Sequence, residues 1–115
     1  EQFTIGSLVL IEKSFKTKYS DIPKESFLEF GLIVREIESA LSNLFSYSKI
    51  NYLMLMMKDD EVHYHIIPRY SGDVTFESVD FKDFGWPRLP NFSKHNLINN
   101  VTQVKLIKAL KKELA

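Results

Sequence analysis

Cysteine is absent from the 115-residue chain, which removes disulfides, thiolate metal sites and cysteine nucleophiles together and fits a reducing compartment. A net charge is also lacking, because 15 Lys and Arg balance 15 Asp and Glu. No overall field therefore draws the chain to a nucleic acid polymer or an anionic membrane, and any phosphate ligand has to be held by local groups. No apolar run is long enough to span a bilayer, and the residues from Glu1 onward show no basic-then-apolar leader. Internal repeats and low-complexity segments are missing as well. The expectation is a soluble, cytoplasmic protein. At 44% hydrophobic residues it is expected to form one domain over residues 1–115 around one core.

The segment Ser7 to Glu12 is short, apolar and β-branched at Val9 and Ile11, and reads as a strand. A polar, irregular stretch from Lys13 to Ile22 follows. Pro23 suits a first helical turn, and Phe27, Phe30, Val34, Ile37, Leu41 and Leu44 recur at spacings of three and four. These predict a long amphipathic helix over Pro23 to Phe45. Lys49 to Lys58 is apolar at both alternating positions, as a central strand covered on each side would be. Asp59-Asp60 provides a turn into the next strand, Val62 to Arg69, giving an antiparallel hairpin with a short connection whose pairing should end at Pro68. Phe76, Val79, Phe81, Phe84 and Trp86 predict a strand fragment and a packed loop. Val104, Ile107, Leu110 and Leu114 predict a C-terminal amphipathic helix from about Asn100. The fold class is α+β, an antiparallel sheet with one long helix packed on it and a C-terminal helix.

The residues with chemistry to offer are His63 and His65. Two apart on a strand, their side chains leave the same face, and Glu61 would join them if the strand starts early enough. An imidazole fixed at one nitrogen by a hydrogen bond keeps the other free to attack phosphorus or to donate to a phosphate oxygen. Spacing alone leaves three readings open: a structurally satisfied pair, a partial zinc or transition-metal ligand set with Glu61, and a phosphate-directed pair. The third histidine, His95, lies in a polar loop with no evident partner.

The wider run His63-Tyr64-His65-Ile66-Ile67-Pro68-Arg69-Tyr70, then Ser71-Gly72-Asp73, Phe76, Phe81 and Gly85-Trp86-Pro87, resembles the histidine-triad family. Its signature is His-φ-His-φ-His-φ-φ, and the nearest likeness is to small bacterial hydrolase-like members. The resemblance spans nearly the whole chain from about Ile5. It implies that His63 is the nucleophile taking a nucleotide's α-phosphoryl group and that His65 donates to phosphate oxygens. It further implies hydrolysis or transfer of a nucleoside phosphoanhydride or phosphoramidate, such as a diadenosine polyphosphate, without a metal or other cofactor. A homodimer is also implied, with the stretch Lys49 to Met57 and the helix from Pro23 as candidate contacts. Arg69 is a candidate phosphate contact or a solvated surface residue, and Trp86 is a candidate pocket cover or ordinary packing.

Three positions depart from the family pattern. Glu61 stands at the first triad position, Ser14 where the family often has a histidine after its first strand, and Met57 where close relatives often place Asn. An ionised carboxylate cannot donate to phosphate and repels it at short range. Two alternatives follow: a nucleotide-binding module with little turnover, or a metal-dependent enzyme using His63, His65 and Glu61. The family's base and ribose contacts come largely from before and within the first strand, where Phe3, Ile5 and Leu8 are candidates for an apolar wall.

Overall fold

The computed structural model describes residues 2–57 and 61–114. In chain order it contains β1 (Leu8–Ile11), α1 (Lys24–Leu44), β2 (Lys49–Leu53), β3 (His63–Arg69), β4 (Val74–Phe76), β5 (Val79–Phe81) and α2 (Asn100–Leu114). β1, β3 and β2 form one antiparallel sheet in that order, and β4 pairs with β5 beside it. The α+β class and the long helix follow the sequence closely.

Alternation along the strands makes two unlike sheet faces. Leu8, Leu10, Ile50, Tyr52 and Ile66 pack with Ile37, Leu41 and Phe45 of α1 and its end, and the cluster continues through Ile5, Tyr70, Phe81, Leu106 and Leu110. The opposite face carries His63, His65, Ile67 and Arg69, with Ile11 across from His63 and both Val9 and Leu53 across from His65. One face therefore builds the core while the other remains available for chemistry.

Several sequence expectations are corrected. The central strand is β3, whereas β2 is an edge and stops at Leu53 instead of Lys58. Met56 adopts a positive φ of 50°, outside strand geometry, so the connection to β3 is longer than a tight hairpin turn. The Asp59-Asp60 turn lies outside the described residues. Pro68 does not end the pairing, because it sits opposite Ile50 within the ladder. Its carbonyl accepts the Thr4 hydroxyl on the side away from β2. Its missing N–H faces that same side, beyond the last β1 pair at Leu8 and Ile66, so the ladder loses no bond.

α2 is present but turned from the expected face. Thr102, Leu106 and Leu110 are buried, whereas Val104, Ile107 and Leu114 are exposed, because its inner stripe meets α1 along Leu106 and Leu110. Phe27, at the start of the predicted stripe on α1, is also exposed. The single strand fragment expected near Phe76 is a hairpin turning at Glu77 and Ser78, which have φ of 51° and 63°. That conformation is usually signalled by Asn or Gly, and neither residue is present there.

Asn96 joins the N-terminal segment to the segment after β5. Its Oδ1 accepts the Lys82 N–H at 2.8 Å, and its Nδ2 donates to the carbonyls of Lys82, Gln2 and Phe3. Asn96→Ala leaves buried backbone groups unpaired and should cost about 2–3 kcal/mol. Urea unfolding checks this, and a loss below about 0.5 kcal/mol would show that water replaces the side chain.

Candidate active site

His63 opens β3 and is buried, while His65 is half-buried one pleat further on. Their ring centroids lie 5.1 Å apart with planes crossed at 78°, so the rings stand edge to face. His63 Nδ1 lies 2.9 Å from the backbone carbonyl of Glu61. A carbonyl can only accept, so Nδ1 carries the proton and donates, leaving Nε2 with the lone pair in the neutral ring. A fixed tautomer with a free Nε2 is the form a histidine nucleophile requires.

Glu61 enters this arrangement through its main chain. β3 begins at His63, so Glu61 does not join the strand face, and its side chain is exposed. Among the described residues no three His, Asp or Glu side chains converge as a metal site. His63, His65 and Glu61 therefore do not form a facial ligand set. His95 is exposed in the segment before α2.

Ser14 lies on the other side of the sheet. Its N–H at 3.0 Å and its hydroxyl both donate to Glu12, which also accepts the Ser26 hydroxyl at 2.9 Å. These bonds, the Ser14 hydroxyl foremost, hold the Glu12 carboxyl below its ordinary pKa. Met57 is 82% exposed and does not line a buried pocket wall.

Arg69, a candidate phosphate contact or solvated surface residue from the sequence, is buried at the far end of the histidine face, which corrects the solvated reading. Its Nε and Nη2 donate to Asp83 at 2.6 and 3.1 Å, Nη1 donates to Asn51 at 2.8 Å, and Nη2 also donates to the Arg88 carbonyl at 2.6 Å. With its side chain 4% exposed and that of Asp83 2% exposed, it ties the segment after β5 to the sheet. Asp83 further accepts the N–H groups of Tyr70 and Gly85. Gly85 is required by space, since a Cβ there would come within 2.2 Å of the Leu89 carbonyl oxygen.

The tethered segment carries an aromatic residue that sequence reasoning missed. Phe92 lies with its ring centroid 6.5 Å from that of His65 and meets Phe3 edge to face at 5.1 Å. Trp86, on the same segment, is half-buried. Of the proposed apolar wall, Phe3 reaches the histidine side through Phe92, whereas Ile5 and Leu8 belong to the core on the helix side. Phe92 had no signal in spacing, because its approach depends on the Arg69–Asp83 tether.

No family model and no curated protein matches the chain. Among solved structures it is similar to a histidine triad protein from Bradyrhizobium japonicum, with a TM-score of 0.72 and 22% identity, covering 95% of this chain and 75% of that one. It is also similar to a hypothetical histidine triad nucleotide-binding protein from Sulfolobus tokodaii, with a TM-score of 0.70 and 15% identity, covering 98% of this chain and 72% of that one. With nearly the whole chain superposed and a His-x-His pair on the central strand, the protein adopts the histidine-triad fold.

Proposed function

We propose that the protein is a nucleotide hydrolase or nucleotidyl transferase acting at the α-phosphate of a nucleoside phosphoanhydride or phosphoramidate, a diadenosine polyphosphate being one such substrate. The observation that carries this reading is the hydrogen bond from His63 Nδ1 to the Glu61 carbonyl, which leaves Nε2 as a nucleophile beside a second imidazole. Nε2 attacks the α-phosphorus, and the bond to the leaving group breaks with its electron pair on that group, which takes a proton from solvent where it leaves as an amine. His65 donates to a phosphate oxygen as negative charge gathers there. Water or another acceptor then attacks phosphorus and gives up a proton to solvent, and the P–Nε2 bond breaks with its electron pair on Nε2, restoring the neutral ring and releasing the nucleotide. The histidines and the acceptor suffice for this route, and no metal takes part in it.

A second reading, a nucleotide-binding module with weak turnover, is favoured by one specific observation. Glu61 stands at the first triad position but lies outside the strand with an exposed side chain, so the histidine face holds two imidazoles instead of three. Incubation with a fluorogenic adenosine phosphoramidate and with diadenosine polyphosphates, with and without chelator, separates the readings. Turnover that resists chelator is the expected result. Saturable nucleotide binding without turnover would establish the module, and chelator-sensitive turnover would contradict both.

Assembly as a homodimer belongs to the same proposal. Leu28 and Leu32, one helical turn apart on α1, are 75% and 64% exposed. The edge strand β2 lies beside an apolar groove of about 200 Å³ lined by Phe30, Val34, Tyr52, Met54 and Tyr64. A second copy would cover the two leucines and pair the edge. Light scattering should give twice the chain mass of 13.4 kDa, falling to one chain in Leu28→Glu/Leu32→Glu. A monomer at high concentration would refute the dimer. The composition is suited to the cytoplasm, with a small nucleotide and not a nucleic acid polymer or a membrane as its partner. Among the described residues no helix is long and apolar enough to cross a membrane.

A further inference from the structure

A cavity of about 280 Å³ lies on the opposite side of the sheet from the histidines, between the end of β1 and the N-terminal half of α1. Its walls include Phe27, Phe30 and Tyr64. The Phe30 and Tyr64 rings stack at 4.5 Å, and Tyr19 closes on Phe27 edge to face at 5.7 Å. Charge enters through three lining residues only: Glu12 and Glu29 carry carboxylates against the ammonium of Lys13. Burial foremost, then Tyr19 and the nearby Glu12, raise the Tyr64 pKa, so its phenol stays neutral and adds no charge of its own.

We propose that this cavity is a second ligand site, distinct from the histidine face, for a small organic cation made of an ammonium head on a flat apolar body. An apolar aromatic lining favours the body, and aromatic faces attract a cation through their quadrupoles. Within the lining the two carboxylates outnumber the single lysine and favour positive charge over neutral or negative groups, with Lys16 offsetting part of that preference from beyond the lining. Glu12 suits this task, because Ser14 and Ser26 fix its position and favour its ionised form while it stays half-exposed at the cavity wall. A cavity of this size is at the lower end for small-molecule sites and suits a ligand of roughly ten non-hydrogen atoms. Nothing in the argument depends on the activity of His63.

The test uses the whole chain and two probes of matched shape, 2-phenylethylammonium and neutral 2-phenylethanol, titrated by NMR. The cation should bind at least about tenfold more tightly than the alcohol, shifting Tyr64 and Phe30 resonances while leaving those of His63 and His65 in place. Glu12→Gln should remove most of that preference, and Glu29→Gln, an exposed change that leaves the fold intact, should reduce it. Equal affinities for the two probes, no binding of either at 10 mM, or an undiminished preference in Glu12→Gln/Glu29→Gln would each overturn the proposal. Shifts confined to the histidines would overturn it as well.

Discussion

Replacing His63 by Ala lowers turnover of an adenosine phosphoramidate by on the order of 10³-fold or more, while nucleotide affinity changes by less than about tenfold. The asymmetry follows from the role of the ring. In the proposed route Nε2 forms the bond to phosphorus, so that route is closed when the ring is removed. In the proposed function the ring is needed for the covalent step and not for holding the nucleotide in the ground state. His65→Ala should be milder, on the order of 10²-fold, because it removes a donor and not the nucleophile. Steady-state kinetics with calorimetric binding constants separates the two effects. A His63→Ala enzyme retaining a tenth of its rate would show that the chemistry runs elsewhere.

The largest stability effect is expected at Asp83. Asp83→Ala leaves the buried Arg69 guanidinium without its counter-charge, and truncating one member of a buried pair costs about 3–5 kcal/mol. For a chain of this length that corresponds to a Tm lower by roughly 10 °C or more. The double variant Arg69→Met/Asp83→Leu removes both charges and retains apolar volume, so it should melt above Asp83→Ala. Calorimetric melting of the three proteins decides the matter. If the double variant is the least stable, the pair contributes net stability beyond compensating its own burial. Asp83→Ala should also loosen Phe92 from His65, since the bonds by which Asp83 ties the segment after β5 to Arg69 and to the Tyr70 N–H go with it.

These two sites also mark how far the sequence could be read. His63 and His65 were legible because a period-two pattern on a strand determines which side chains share a face, and the long helix was legible from its spacing of three and four. The face of α2 was legible only at Leu110, which is buried as expected, because Thr102, Leu106 and Leu110 form as regular a stripe as Val104, Ile107, Leu110 and Leu114, and only the packing against α1 chooses between them. β2 looked central because Met54 to Met57 continue its apolar run, but the positive φ at Met56 ends the strand geometry. Arg69 looked like a surface residue because arginine is rarely buried unpaired, and its partner Asp83 lies 14 residues away with no local pattern linking them. Glu61 looked damaging as a side chain, yet its part in the site is played by its carbonyl, an atom every residue has.

The central claim is that His63 becomes covalently linked to the nucleotide, and rapid acid-free quenching followed by intact-mass and peptide mass spectrometry tests it most directly. With an adenosine phosphoramidate in excess, the account predicts a nucleotidyl adduct on the peptide containing His63, present during turnover and absent in His63→Ala. Steady turnover with an unmodified His63 peptide at every quench time, under conditions where the phosphoramidate bond of a control nucleotidyl-histidine survives, would contradict it.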